Sequence, residues 1–408
     1  MKCRHCNSNM NSIFADLGSS PPSNSYLIGS ELIAAEKWYP LRVGVCQECW
    51  LVQNFDCDYE EDFFNDNYAY FSSFSSSWLK HAETYVNMIS SMLKLNKASQ
   101  VIEVASNDGY LLQFFMNKNI PCYGVEPTKS TSKAAKAKGI EVVEDFFGEE
   151  LARKLLKTKG QCDLMVANNV LAHVPDVNDF LRGFDLLLKP SGVITFEFQY
   201  LATLVDSIQF DTLYHEHYSY FSLSSCQNTL NTNNLEIFDV EFLNSHGGSL
   251  RVYAQKKNFG KFKISQNVSD LLKKEKNLGV KNLTYYLNFQ PKINVVKNNL
   301  ITTLVDIYDQ NCLVYGYGAA AKGNTILNYA GIKSDLLPYI IDKSPYKQNK
   351  FMPGSRIPIV NESFIKANKP EYILILPWNL RKEISADLEY IREWGGKFIV
   401  AVPEIEIF

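Results

Sequence analysis

The stretch that decides the fold is ASQVIEVASNDGYLLQFF, residues 98–115. It reads as a short apolar strand, a turn of small residues and the beginning of an amphipathic helix. Four residues lie at the carboxyl end of this strand, where α/β sheets bind ligands: Glu103, Asn107, Asp108 and Gly109. Ala105 and Ser106 stand where two glycines of a GxGxxG turn would be, so a dinucleotide pyrophosphate would have little access to the backbone.

Strands and helices alternate after this turn. Apolar strand patterns lie in CYGVEP (122–127), GIEVVEDFF (139–147), CDLMVANN (162–169) and GVITFEFQYL (192–201), with helical patterns between them. This alternation predicts an α/β protein with a parallel, doubly wound sheet.

The polar residues at these strand ends suit a small cationic nucleoside better than a phosphate. An acid about 20 residues past the first turn can hold ribose hydroxyls, and Glu126 has that spacing. Asp145 and Phe146 could hold an adenine amino group and ring. Each acid taken alone could equally be an ordinary loop residue, but together they predict an S-adenosylmethionine site. The predicted cofactor-binding residues are Glu103, Ala105, Asn107, Asp108, Gly109, Glu126, Asp145, Phe146 and Asn168.

Two CxxC pairs stand near the amino end, Cys3 with Cys6 in CRHC and Cys46 with Cys49 in CQEC. Four thiolates at the corners of a tetrahedron are what a closed structural zinc site requires. The alternatives are four reduced cysteines without metal, His5 in place of one ligand, or a redox pair, although neither pair opens a helix after a strand. We expect a structural zinc that takes no part in chemistry, because four sulfur ligands leave no open position.

The composition of the 408 residues is that of a packed protein with two or three domains. Lys and Arg total 41 against 44 Asp and Glu, and a net charge of −3 gives no support for binding nucleic acid or an anionic membrane. The amino end lacks the apolar stretch of a signal peptide, and no later run approaches about 18 apolar residues. We expect a cytoplasmic monomer or small homo-oligomer with no nucleic acid or membrane partner.

A second α/β unit begins at NCLVYGYGAAAKGNTILNYAG, residues 311–331. Gly316, Gly318 and Ala321 form a GxGxxA turn, and Asp342 ends the next strand, so the literal prediction is an NAD site. A nucleotide-sugar would fit the same turn, since backbone N–H groups at a helix N-terminus bind any pyrophosphate, and Lys322 adds a cation. A Rossmann unit without ligand is the third alternative.

The chain resembles the three-domain sugar C-methyltransferases, which act on nucleotide-linked 4-keto-6-deoxyhexoses. The resemblance covers the whole chain and rests on CRHC with CQEC, LGSSPPSNSYL, NYAYFSSFSSS, EVASNDGYLL, GVEP, NNVLAHV, YHEH, HGGSLRVY and VYGYGAAAKGNTILN, in that order. It implies a zinc-binding domain (1–66), an S-adenosylmethionine-dependent methyltransferase domain (67–258), a helical linker (259–306) and a Rossmann-like domain that holds the nucleotide-sugar (307–408). Ala105 departs from the family's usual glycine, and we expect its φ angle to stay negative.

Methylation of a sugar carbon needs a nucleophilic carbon, which an adjacent ketone provides by forming an enolate. A base must remove the α-proton, a donor must stabilise the enolate oxygen, and the methyl group must lie in line. The family's catalytic set maps onto Tyr70, His173, Tyr214, Glu216 and His217. We predict His217 as the base, Glu216 as the alternative base or its orienting partner, and the other three as groups that bind and polarise the sugar.

The stretch YHEH, residues 214–217, has its histidines only two residues apart, so it is not the HExxH metal motif. We predict a turn that lets Glu216 and His217 converge on one carbon of a dTDP-, GDP- or CDP-linked sugar. The predicted substrate-side residues are His246, Arg251, Gly316, Gly318 and Lys322. Two alternatives stay open: methylation of a sugar hydroxyl with the same cofactor, and a zinc-knuckle adaptor with inert α/β domains.

Overall fold

A computed structural model of the chain describes residues 1–55 and 71–408. Within these residues the strands form three sheets, of four, seven and six strands. Tyr70, one of the predicted catalytic residues, lies outside the described residues.

The amino-terminal unit is a small antiparallel sheet beside the two cysteine pairs. Its strands β1 (Ser12–Ser20), β2 (Tyr39–Val45) and β3 (Val52–Asn54) lie side by side in sequence order. A fourth strand, Ser219–Tyr220, comes from the middle of the chain and pairs antiparallel with β3. This sheet therefore fixes the carboxyl end of the YHEH stretch.

Helices and strands alternate in the central unit. They are α1 (Ser76–Leu93), β4 (Val101–Val104), α2 (Leu112–Asn117), β5 (Cys122–Val125), α3 (Lys129–Ala137), β6 (Val142–Val143), α4 (Glu149–Lys159), β7 (Cys162–Asn168), α5 (Val177–Leu187), β8 (Leu188–Gln199), α6 (Leu201–Asp206), β9 (the Ser219–Tyr220 strand above), α7 (Leu223–Thr232), β10 (Leu235–Leu243) and β11 (Ser249–Lys256).

The central sheet has the strand order β10-β11-β8-β7-β4-β5-β6. Strand β11 runs antiparallel to both of its neighbours, and the other pairs are parallel. All four residues of β4 are buried, as expected of a parallel strand covered by helices on both faces. The predicted doubly wound α/β sheet is confirmed, and the turn after β4 lies where the winding reverses.

The last part of the chain contains three helices and then a second α/β sheet. They are α8 (Gln266–Leu278), α9 (Leu283–Leu287), α10 (Phe289–Asp309), β12 (Val314–Tyr317), α11 (Ala321–Ala330), β13 (Ile340–Ile341), β14 (Ile359–Val360), α12 (Ser363–Asn368), β15 (Tyr372–Ile375), α13 (Arg381–Asp387), β16 (Lys397–Val400) and β17 (Glu406–Ile407). The strand order is β14-β13-β12-β15-β16-β17, parallel except for β17.

One apolar core joins the three units. It contains Phe14 of β1, Leu204 of α6, Ile293 of α10 and Leu327 of α11, all buried. The segment between α6 and β9, which carries YHEH, runs through the middle of this core and packs on α11. In the described part of the chain, no helix has the length and apolar character needed to span a membrane.

Candidate functional site

The four predicted zinc ligands come together at the amino end. The Sγ atoms of Cys3, Cys6, Cys46 and Cys49 all lie within 4.8 Å of one another. Zn–S bonds of about 2.3 Å in a tetrahedron place sulfur atoms about 3.8 Å apart, so the cluster has the size that zinc requires. Among the residues that the structure describes, this ligand cluster does not include His5, whose Nδ1 atom lies 3.0 Å from the side chain of Asn178.

Both cysteine pairs are held in the same kind of turn. The carbonyl of Cys3 accepts a hydrogen bond from the N–H of Asn7 at 3.0 Å, and that of Cys46 from the N–H of Trp50 at 2.9 Å. Asn7 and Trp50 both have left-handed backbones, with φ angles of 62° and 63°. Two equivalent turns thus present four sulfur atoms to one point, which fits a closed, structural zinc.

The predicted cofactor residues begin with a buried acid on β4. Glu103 is 1% exposed. Burial raises the pKa of Glu103 well above its ordinary value, the Tyr110 hydroxyl opposes this, and the carboxylates of Asp108 and Glu126 add to the rise. Because such a group is stabilised in its ionised form by a positive charge, this strand end favours a cationic ligand.

In the turn after β4, every second residue has a left-handed backbone conformation. The φ angles of Ala105, Asn107 and Gly109 are 57°, 49° and 76°. A Cβ atom at Gly109 would lie 2.2 Å from Cδ1 of Ile140, so only glycine fits there. The expectation of a negative φ at Ala105 was wrong: the chain must reverse within three residues, and alanine takes a conformation that glycine adopts without strain.

Several buried oxygen atoms at the carboxyl edge of the central sheet have no hydrogen-bond donor within the described residues. In the part of the chain that the structure describes, Oγ of Ser106, Oδ1 of Asp108 and Oδ1 of Asn168 are buried without a hydrogen-bond partner. Unpaired buried acceptors are costly unless a ligand supplies donors. The ammonium and hydroxyl groups of S-adenosylmethionine are such donors, so the residues present fit this cofactor.

The remaining predicted cofactor residues lie at neighbouring strand ends. The carboxylate of Glu126, after β5, accepts hydrogen bonds from the N–H groups of Asn107 and Thr128, both at 2.9 Å. Asp145 and Phe146 follow β6, and Phe146 is 63% exposed, with its ring open to a stacking partner. The ends of β5 and β6 therefore carry a carboxylate and an exposed aromatic ring.

The YHEH stretch forms the predicted turn. The N–H of His217 donates to the carbonyl of Tyr214 at 3.0 Å, so His215 and Glu216 stand at the corner of a β-turn. The ring of His217 lies between two partners, with Nδ1 2.8 Å from the Thr212 carbonyl and Nε2 2.8 Å from the Tyr214 hydroxyl. A carbonyl only accepts hydrogen bonds, so Nδ1 carries the ring proton and Nε2 accepts from Tyr214.

His173 lies against the same turn. Its Nδ1 atom is 2.8 Å from the backbone carbonyl of Glu216, and its ring centroid is 4.6 Å from that of His217. Burial lowers the pKa of His173 to about 4. Burial, followed by the charge that His173 would carry, lowers the pKa of His217 well below its ordinary value. Both rings are therefore neutral at physiological pH, and the same carbonyl argument leaves Nε2 of each without a proton.

Glu216 turns away from His217 toward the amino-terminal unit. Its side chain is 3% exposed, and its two oxygens lie 3.0 and 2.7 Å from Nδ2 of Asn24. Burial raises the pKa of Glu216 to about 7, and the hydrogen bond from Asn24 opposes this rise. The turn is present as predicted, but the carboxylate and the imidazole have separate partners, and their convergence on one carbon stays a prediction. Apart from its place in LGSSPPSNSYL, nothing in the sequence pointed to Asn24.

Lys322 of the carboxyl-terminal unit reaches the same site. Its Nζ atom donates to the His246 carbonyl at 3.1 Å and lies 5.2 Å from the ring centroid of Trp378. Burial lowers the pKa of Lys322, and the buried carboxylate of Asp211 opposes this. The charge of Lys322 also contributes to the lowered pKa of His217. Sequence reasoning missed Asp211, whose Oδ2 atom accepts a hydrogen bond from Trp378 Nε1 at 2.7 Å.

His246 lies in the turn before β11, and Arg251 lies within that strand. Burial lowers the pKa of His246 to about 4, with Lys322 as the next cause. Arg251 is 4% exposed and bonds Glu197 through Nε at 2.8 Å and Glu241 through a second nitrogen. Its guanidinium is held in this buried ion pair, and the substrate contact predicted for it stays a prediction.

Side chains of the second α/β unit itself pack against its GxGxxA turn. Gly318 has a φ angle of 89°, and a Cβ atom there would lie 2.6 Å from Cδ of Pro377. At Gly316 an added Cβ would lie 3.1 Å from Ile340, which is a packing contact within the sheet. Asp342 accepts a hydrogen bond from the N–H of Ala319 at 2.8 Å, so one carboxylate oxygen holds the turn and is not free for a ribose.

Comparisons with known proteins agree with this arrangement. Three family models match in order: a zinc binding domain at residues 3–64, a methyltransferase domain at 79–240 and a C-methyltransferase C-terminal domain at 244–403. The C-methyltransferase NovU of Streptomyces niveus is 30% identical over 403 residues, which cover 99% of this chain and 96% of that protein. The chain belongs to the C-methyltransferase family.

Solved structures match less than half of the chain, and only distantly. The PH0226 protein of Pyrococcus horikoshii is 15% identical with a TM-score of 0.39, over 46% of this chain and 95% of that one. A 1,6-didemethyltoxoflavin N1-methyltransferase of Burkholderia thailandensis is 16% identical with a TM-score of 0.34, over 44% and 78%. These scores add nothing to the family assignment.

The family fixes the class of protein. This C-methyltransferase family member is an enzyme that uses S-adenosylmethionine, and its amino-terminal unit binds zinc. The alternative of a zinc-knuckle adaptor with inert α/β domains is thereby excluded.

Proposed function

We propose that the enzyme methylates C3 of a nucleotide-linked 4-keto-deoxysugar through a base-generated enolate. The observation that supports this most directly is the cluster of His217, Tyr214 and His173 at the meeting point of the three units. The two histidines are neutral, and each ring has an unprotonated Nε2. Proton removal next to a ketone requires a group of this kind.

His217 is the proposed base. Its Nδ1–H is anchored on the Thr212 carbonyl, which fixes the tautomer, and Tyr214 holds its Nε2 lone pair in one direction. When the substrate is bound, Nε2 takes the C3 proton and the C–H electron pair moves onto the ketone oxygen. The Tyr214 hydroxyl would leave Nε2 as the C3 proton arrives there and would then donate to that oxygen, whereas His173, whose Nε2 only accepts, would bind a hydroxyl of the sugar. Tyr70 keeps its predicted part in the same set, as does Glu216 as the alternative base.

S-adenosylmethionine supplies an electrophilic methyl group when it is bound at the β4 edge. Glu103, Glu126 and Asn168 would hold it there, together with Asp145 and Phe146 at the open side. Ala105, Asn107, Asp108 and Gly109 shape the turn beneath it. The residues of the chain fix its position while the carbon nucleophile forms.

Lys322 is proposed to bind the diphosphate of the nucleotide, beside Gly316, Gly318 and His246. Its charge lowers the pKa of His217 in the free protein. A diphosphate paired with Lys322 would neutralise that charge, so substrate binding itself would strengthen the base. Because Pro377 packs against the GxGxxA turn, this contact would be made by the Lys322 side chain beside the turn, which favours a nucleotide-sugar over NAD.

The direct test is incubation with S-adenosylmethionine and a panel of dTDP-, GDP- and CDP-linked 4-keto-deoxysugars. The proposal expects one member of the panel to gain the mass of one CH2 unit, with the new methyl group on a ring carbon by NMR. A new methyl group on oxygen would establish the O-methylation alternative. No mass gain across the panel would overturn the sugar substrate.

A further inference from the structure

Asn24 reaches the active site from the zinc-binding domain. It lies between the two cysteine pairs, 192 residues before Glu216 in the chain, and its Nδ2 atom lies 3.0 and 2.7 Å from the two oxygens of that carboxylate. The carboxylate is 3% exposed. A side-chain amide donating to both oxygens is neutral, so it orients the carboxylate without adding a charge.

The segment that carries Asn24 is fixed on the opposite side. The hydroxyl of Tyr26 donates to the Ala319 carbonyl at 2.6 Å, in the GxGxxA turn of the carboxyl-terminal unit. Leu27 and Phe351 exchange backbone hydrogen bonds of 3.0 and 2.8 Å. The segment of Asn24 is thus bound to the carboxyl-terminal unit, while the Asn24 side chain binds Glu216 of the central unit.

We propose that Asn24 is a positioning residue that holds the ionised Glu216 carboxylate in the active site. The inference rests on the proposed function, in which Glu216 belongs to the catalytic group. It makes the zinc-binding domain a contributor to the reaction as well as a structural unit. An amide donor suits this task, because it stabilises the ionised form of the carboxylate more than the protonated form.

The charged and titratable groups around Glu216 come from four elements. Burial raises the pKa of Tyr26, which lies in the same amino-terminal segment, and the charge of Glu216 adds to this rise. Lys347 lies 5.5 Å from the Tyr26 ring centroid. His173 bonds its backbone carbonyl, and His217 follows it in the chain. Asn24 is the group whose hydrogen bond opposes the effect of burial on Glu216. Removal of Asn24 should therefore raise the pKa of Glu216 above about 7.

The test is an NMR titration of the full-length protein labelled with carbon-13 at the glutamate carboxyl. Glu216→Gln identifies the resonance by its disappearance. The expected result is an upward shift of the Glu216 titration by about one pH unit in Asn24→Ala, and a smaller shift in Asn24→Ser, whose hydroxyl keeps a donor. The acid side of the pH–kcat profile should also move to higher pH, because a carboxylate with a raised pKa becomes protonated earlier as the pH falls.

Tyr26→Phe is the matched control from the same segment. It removes the contact with Ala319 but keeps Asn24 and the two Leu27–Phe351 backbone hydrogen bonds that hold the segment, so it should lower the melting temperature without moving the Glu216 titration. An unmoved titration in Asn24→Ala, or an equal shift in Tyr26→Phe, would overturn the inference. Full kcat in Glu216→Gln would instead remove Glu216 from the proposed catalytic group, and the titration would still report on Asn24.

Discussion

Nε2 of His217 accepts a hydrogen bond from the Tyr214 hydroxyl at 2.8 Å. The ring proton is on Nδ1, which faces the Thr212 carbonyl at 2.8 Å. The two contacts together fix a single tautomer of His217 and the direction of its Nε2 lone pair. A general base needs both, because it must accept a proton at one defined atom.

Replacing His217 with Asn should lower kcat by about 10² to 10⁴-fold, the usual contribution of a general base. The affinity for S-adenosylmethionine, measured by calorimetry, should stay nearly unchanged because the β4 edge is untouched. The control is His215→Asn at the corner of the same turn. The His215 ring lies 3.3 and 3.2 Å from the carbonyls of Tyr39 and Pro40, so its loss should lower the melting temperature and leave kcat in place. Turnover retained in His217→Asn would move the base to Glu216.

Lys322→Met should raise KM for the nucleotide-sugar roughly ten- to hundredfold, the value of a hydrogen bond to a charged group. The pKa of His217 in the free protein should rise, since the charge of Lys322 helps to lower it. NMR titration of the histidine ring protons checks the second effect. Lys347→Met is the matched control, because Lys347 bonds Ala319 in the same unit. An unchanged KM in Lys322→Met would remove the diphosphate contact.

Removal of zinc should unfold the amino-terminal unit and abolish turnover, while S-adenosylmethionine still binds. The four sulfur atoms would hold the two cysteine turns together through the metal. Asn24, which contacts Glu216, lies in the chain between these two turns. Metal release by a chelator, followed by a colorimetric zinc assay and calorimetry with S-adenosylmethionine, measures both effects. Cys49→Ser should reproduce them. Full turnover by protein shown to be free of zinc would contradict this prediction.

Ala105→Gly should stabilise the protein by up to about 1 kcal/mol. Alanine in the left-handed region costs about 1–2 kcal/mol, and the extra chain entropy of glycine offsets about 0.5–1 kcal/mol of the relief. Gly109→Ala in the same turn should destabilise by about 1–3 kcal/mol, because its Cβ would lie 2.2 Å from Ile140. Urea unfolding of both variants measures the difference. A destabilised Ala105→Gly would show that the turn does not strain alanine.

Local patterns in the sequence predicted much of this structure. The cysteine spacing identified the metal ligands, and the strand–turn–helix pattern after Val101 predicted the strand β4 and the helix α2 that flank the edge proposed for the cofactor. These features depend on residues that are neighbours along the chain. The sign of φ at Ala105 was mispredicted, because the direction of the turn depends on how β4 and α2 pack.

Contacts between distant segments could not be read in this way. Asn24 meets Glu216 across 192 residues, and Arg251 pairs with Glu197 inside the sheet. The first pairing depends on how the units dock, and the second on the register of β11 against β8; local periodicity encodes neither. The same holds for β9, whose two residues complete the amino-terminal sheet.

The central claim, proton removal from C3 by His217, is tested most directly by hydrogen exchange. The enzyme is incubated in deuterium oxide with the nucleotide-linked 4-keto-deoxysugar and S-adenosylhomocysteine, so that no methyl transfer can follow. The account predicts deuterium at C3 with the wild-type enzyme and almost none with His217→Asn. Methylated product formed without loss of the C3 proton, or exchange by His217→Asn at the wild-type rate, would contradict it.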